Sequence, residues 1–101
     1  MRVDLGITYV YVVNSDLRMS KGKIAAQVSH VAMMLVEYGL PIGRAIVLKG
    51  EEKLLRELVR KPEVKYVKDA GLTEVPEGSL TCVGFVQNSE LRKITGKLRL
   101  V

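Results

Sequence analysis

The run Ser20-Lys21-Gly22-Lys23, at the start of a helix-like segment, holds the residues of this chain best suited to grip an anion. A helix start exposes unpaired N–H groups and carries partial positive charge, so Ser20 reads as the cap. Gly22 leaves room for close approach, and the two lysines add cations where the helix favours anions. Backbone donors and ammonium groups together suit a phosphate or a developing oxyanion. The plainer reading is a solvated turn, since each misplaced lysine costs only about 0.3 to 1 kcal/mol. A contrast within the chain favours the first. Glu51-Glu52 opens the second helix-like segment and Arg60-Lys61 closes it, so there the charges obey the dipole.

Two further groups could join this chemistry. Lys23, Gln27 and His30 fall at i, i+4 and i+7, one stripe of the same helix. As the single histidine, His30 invites a general-base role, although a histidine beside an apolar stripe more often packs. The segment Asp69-Ala-Gly-Leu-Thr-Glu-Val-Pro-Glu-Gly78 brings an acid, with Gly71 and Gly78 as turn residues. Asp69 and Thr73 would serve equally as an ordinary turn device.

The elements that must position these residues are legible from periodicity. Ile7 to Val13 is an unbroken β-branched and aromatic run, as in a strand covered on both faces. Ile24, Val28, Val31 and Leu35 recur at helical spacing, which predicts a helix from Ser20 to Tyr38, stopped by Gly39 and Pro41. Arg44 to Lys49 predicts a second strand, parallel to the first after a right-handed crossover. The helix opened by Glu51-Glu52 follows, with Pro62 beyond its end. Val64 to Lys68 and Leu80 to Val86 predict two more strands, and Asn88 or Ser89 caps a helix through Ile94. The alternating tail from Lys97 to Val101 suggests an extended edge with Leu98 and Leu100 buried. These elements make one α/β domain over residues 1–101, a three-layer α/β/α arrangement on a four-stranded mixed sheet. In such sheets ligands gather outside the carboxyl ends of the parallel strands, where the Ser20 helix start and Asp69 would meet.

Composition bounds the partners. Sixteen Lys and Arg against eleven Asp and Glu leave a formal charge of +5 in 101 residues, which favours polyanions, nucleic acid first. Cys82 has no partner for an internal disulfide, and no Cys or His cluster has zinc spacing, so a reducing compartment and no metal are expected. The amino terminus lacks a signal-peptide pattern and no apolar run spans a bilayer, so a cytoplasmic protein without membrane contact is expected.

The run from Asp16 to His30, the run Lys68-Asp-Ala-Gly-Leu-Thr73 with Val75-Pro-Glu-Gly78, and Ile94-Thr-Gly-Lys-Leu98 resemble the successive signatures of the archaeal and eukaryotic type of peptidyl-tRNA hydrolase. The resemblance implies hydrolysis of the ester joining a peptide to the 3′ ribose of tRNA, with tRNA as partner and no cofactor. It places the functional residues on Lys23, Asp69, Thr73 and Thr81 as catalytic groups. Arg18, Lys21, Gly22, Gln27 and His30 belong to the surrounding signature and would bind substrate. Family members are often dimers, and the tail or an exposed helix face would offer a surface to a second copy. One departure stands out: only Gly39-Leu-Pro-Ile-Gly43 joins the first helix to the second strand, where members usually carry an extra helical segment. The alternative is a relative that holds RNA or phosphate with little or no catalysis, but Asp69 beside the lysines would repel such a ligand. A nucleotide-binding P-loop is not supported, because the glycine spacing and the Ser or Thr after Lys23 are missing.

Overall fold

A computed structural model of the chain describes residues 2–37, 39–72 and 74–101. The elements follow the order β1 (Val3–Asn14), α1 (Lys21–Val36), β2 (Ile42–Gly50), α2 (Glu52–Leu58), β3 (Lys65–Lys68), β4 (Leu80–Val86), α3 (Ser89–Thr95) and β5 (Arg99–Leu100). The apolar run of β1 works because its side chains alternate between two cores. Tyr9, Tyr11 and Val13 pack with Val31 and Leu35 of α1 on one face. Val10 and Val12 pack on the other with Leu55 and Leu58 of α2, Phe85 of β4 and Leu91 of α3. A strand buried on both faces has no reason to alternate polar and apolar residues, and this one does not.

One sheet joins the strands in the order β3-β4-β1-β2-β5. β1 and β2 are parallel, with Val12 opposite Leu48, whereas β4 runs antiparallel to both β1 and β3. β3 therefore points the same way as β1, and the carboxyl ends of β1, β2 and β3 share one edge of the sheet. The sheet is mixed, as expected, but it has five strands rather than four. The tail supplies the fifth, pairing Leu100 with Leu48 and Arg99 with Lys49. Leu98 packs partly against the core, but Leu100 is 67% exposed, contrary to the expected burial of both. As the outermost strand of the sheet, β5 has a neighbouring strand on one side only, which leaves Leu100 open to solvent.

The first helix ends at Val36, earlier than the predicted Tyr38, which lies outside the described residues. Gly39 follows with φ +73°, a left-handed conformation that glycine adopts without cost. α1 approaches β4 closely at Gly84, where a Cβ would meet Val31 Cγ1 at 2.5 Å and Tyr11 Cδ1 at 2.8 Å. The absence of a side chain there sets the height of α1 above the sheet. Cys82 is fully buried in the same core, and burial pushes its thiol up to about 12. Among the described residues no helix is long and apolar enough to cross a membrane.

Candidate active site

β1 ends at Asn14, and a single 3-10 turn from Ser15 to Leu17 leads into α1. Asn14 is buried and fixes this corner. Its side-chain N–H donates to the Leu80 carbonyl at 2.9 Å, and its Oδ1 accepts the Asp16 N–H at 3.0 Å. Arg18 then takes a left-handed conformation, φ +48°, which turns the chain toward the helix. Ser20 caps α1 as expected, its Oγ accepting the Lys23 N–H at 3.2 Å.

The other wall comes from β3. A β-bulge marks its end: Val67 pairs with Cys82 and Lys68 with Leu80, so Thr81 is the additional residue on β4. A bulge bends its strand and re-aims the side chains beside it. Here it bends β4 opposite the end of β3, next to Asp69, whose backbone bonds to Ser79 and Gly78 across the loop, N–H to the Ser79 carbonyl at 2.8 Å and carbonyl to the Gly78 N–H at 2.7 Å. The loop is thereby closed at its base.

Between these walls lies a cleft of about 720 Å³ whose lining includes Ser20, Gly22, Lys23, Gln27, His30 and Asp69. At its floor Lys23 Nζ donates to Asp69 Oδ1 at 2.6 Å, with side chains only 10% and 8% exposed. Gln27 Nε2 donates to the same oxygen at 3.0 Å, and the Gly71 N–H donates to Oδ2 at 2.7 Å. These donors, Lys23 foremost and then Gly71, hold the Asp69 carboxyl below the usual carboxylate range. Asp69 is thus an ionised group with both oxygens engaged. It is also an ordinary turn device, as its spacing allowed, because the hydrogen bond from Gly71 closes an Asx-type turn.

One residue of the site is invisible to local sequence reasoning. Glu74 reaches back to the start of α1, where Ser20 donates its N–H to Oε1 at 2.8 Å and its Oγ–H to Oε2 at 2.5 Å. The Ser20 hydroxyl and then its backbone N–H hold this carboxyl low. Among the described residues the first turn of α1 contains no acid of its own. Glu74 and Asp69, both from the 69–78 loop, supply the negative charge that the helix start and its lysines require. This revises the expected anion position: beside Ser20 it is filled by a carboxylate of the chain itself. The signal was the missing acid in the first turn, but nothing local to Glu74 marks it as the partner.

The other anticipated residues divide. Gly22, Gln27 and His30 join Lys23 and Asp69 at the cleft, and His30 is exposed there rather than packed in the core. Lys21 does not. It faces a separate groove with Ile24, Val28, Val47 and Leu100, because at about 100° per residue the two steps from Lys23 turn its side chain by about 200°. Arg18 is exposed on the approach to α1 and does not line the cleft. Thr81 is fully buried and lies outside the cleft, its hydroxyl donating to the Val67 carbonyl at 3.3 Å. Thr73 lies outside the described residues. Among the described residues no group of three or more His, Cys, Asp or Glu side chains is placed to hold a metal ion.

Comparison with known proteins converges on one family. The family model described as "Peptidyl-tRNA hydrolase PTH2" matches residues 7–101. A protein of Staphylothermus marinus named peptidyl-tRNA hydrolase is 36% identical over 112 aligned positions, covering 91% of this chain and 93% of the relative. One of Methanopyrus kandleri with the same name is 35% identical, covering 91% and 96%. One of Thermoplasma acidophilum is also 35% identical, with the same coverage. The 112 aligned positions exceed the 101 residues of this chain, so the Staphylothermus relative carries residues within the aligned span that this chain lacks.

Proposed function

The chain belongs to the peptidyl-tRNA hydrolase PTH2 family, whose reaction is hydrolysis of the ester between a peptide and tRNA, and we propose that Lys23 and Asp69 carry that reaction here. The observation that supports these roles is the 2.6 Å contact between the Lys23 ammonium and Asp69 at the floor of the cleft. Water adds to the acyl carbon, the bond to the ribose 3′ oxygen breaks, and that oxygen leaves with a proton. The peptide departs as a carboxylic acid. Negative charge develops first on the carbonyl oxygen and then on the departing ribose oxygen. Lys23 supplies a cation beside Asp69 for both, and a preorganised charge in a recessed site stabilises such an oxyanion far better than water does.

Asp69, held below the usual carboxylate range, is a weak proton acceptor at neutral pH. Its roles are to fix the Lys23 ammonium and to orient water through the acceptor capacity left on Oδ2, which receives the Gly71 N–H. Gln27 locks the carboxylate from the helix side. His30, exposed at the cleft, contacts the incoming substrate. Thr81 acts through the end of β3, since its hydroxyl holds the Val67 carbonyl two residues before Asp69. The role of Thr73 as a partner of Asp69 rests on the signature alone.

The test is single-turnover release of the acyl group from an N-acetylaminoacyl-tRNA by the natural chain and by Lys23→Ala and Asp69→Ala. Rapid cleavage by the natural chain, slowed by about a hundredfold or more in either variant, is the expected result. Near-normal turnover in either variant removes its assigned role, and tRNA binding without cleavage by the natural chain favours the non-catalytic alternative. Such a reaction belongs where translation runs, in the cytoplasm. Sedimentation of the purified chain decides whether it works as one copy or two.

A further inference from the structure

The tail strand creates an arrangement that ordinary sheet pairing avoids. Lys49 of β2 and Arg99 of β5 are directly paired across the strands, and like charges so placed repel. Lys97 joins them in one shallow groove of about 350 Å³ with Ser15, Gly50 and Glu51. Among the described residues no carboxylate comes within ion-pairing distance of Lys49, Lys97 or Arg99. The acids of this edge are otherwise committed: Asp69 to Lys23, Glu74 to Ser20, Asp16 to the Glu52 N–H, and Glu52 to Arg56. Within the groove itself Glu51 is the one acid among the described lining residues, against three cations.

We propose that this groove is a second nucleic-acid surface, which holds backbone phosphates of the tRNA while the ester lies in the Lys23–Asp69 cleft. The inference rests on the hydrolase reading above and adds to it where the body of the tRNA lies. Position supports it. The groove and the cleft are both at the edge where β1, β2 and β3 end, and β3 and β5 are the two outermost strands of the sheet. At about 4.8 Å per strand the four steps between them span roughly 19 Å, close to the width of a nucleic-acid duplex. Lys21, which the helix turns away from the cleft, lines a further groove with Leu100 of β5 and Val47 of β2. A polyanion following this edge relieves the repulsion between Lys49 and Arg99, neither of which forms an ion pair with a carboxylate among the described residues.

The experiment compares two esters: N-acetylaminoacyl-tRNA, and the same acyl group on adenosine, which has no phosphate. In Lys49→Gln/Arg99→Gln the ratio of kcat/KM for tRNA ester to adenosine ester falls about tenfold, and the salt dependence of deacylated tRNA binding flattens by about 0.7 to 0.9 for each phosphate no longer neutralised. Lys49→Arg/Arg99→Lys, which keeps both charges, retains the natural ratio. Arg2→Gln/Arg60→Gln removes the same net charge at the opposite edge and leaves the ratio near that of the natural chain. An unchanged ratio and salt slope in the first variant overturns the proposal, as does an equal fall in the control pair. If the natural chain cleaves neither ester, the hydrolase reading fails, yet the comparison of tRNA binding still decides whether this groove holds RNA.

Discussion

Lys23 occupies a position that the helix dipole penalises, and Asp69 and Glu74 show what makes it tolerable. Removing the ammonium with Lys23→Ala should lower kcat by about a hundredfold to a thousandfold, the usual cost of one preorganised oxyanion group. The fold should survive, because Ser20 and Glu74 still close the start of α1; a thermal melt beside the rate measurement checks both. The two acids also set a pH dependence. Folding lowers both carboxyls, so the folded chain binds fewer protons than the unfolded one as the solution becomes acidic. Their stabilisation is therefore complete above the ordinary carboxylate range, about pH 5, and is lost as pH falls through the lowered values. Urea denaturation of the natural chain and of Asp69→Asn/Glu74→Gln should differ at pH 7 and converge at low pH. At this scale the sequence spoke through anomaly. Lys23 was visible because it breaks a rule, whereas Glu74 obeys none that can be read locally, since its partner lies 54 positions away.

At the scale of elements, what positions Asp69 is the end of β3 set opposite a bulge in β4, and a loop closed by glycine. Gly71 has φ +79°, and a Cβ there would stand 2.7 Å from the Glu77 backbone. Gly71→Ala should therefore displace the N–H that binds Asp69 Oδ2, lowering kcat while leaving the sheet intact; circular dichroism and turnover measured together separate the two. Gly84→Ala acts elsewhere, pushing α1 off β4 through Val31 and Tyr11. Overpacking of this kind costs about 1 to 3 kcal/mol, read as a lower urea midpoint. Thr81→Val keeps the shape but leaves the Val67 carbonyl without its hydroxyl donor, and should cost about 1 kcal/mol together with some turnover. The long elements were legible because burial on both faces writes continuous apolar runs into β1 and β4, and burial on one face writes a helical period into α1. β5 was legible only as an alternating edge, because a two-residue strand is defined by its partner. The bulge at Thr81 was not legible, since register is a property of two strands and each sequence shows one.

For the whole molecule, charge and topology act together. The net charge of +5 is generic, but the cations at the carboxyl-end edge are local, so salt should weaken tRNA binding more than it weakens hydrolysis of a phosphate-free ester. Topology adds a consequence for synthesis. β3 joins the sheet only through β4, which comes later in the chain. A nascent chain that has reached Asp69 already contains Lys23, Gln27 and the acid they hold, yet has nothing to dock that acid against α1 until Leu80 to Val86 emerges. A protein of a family that releases peptides from tRNA thus completes its own site only once β4 has been translated.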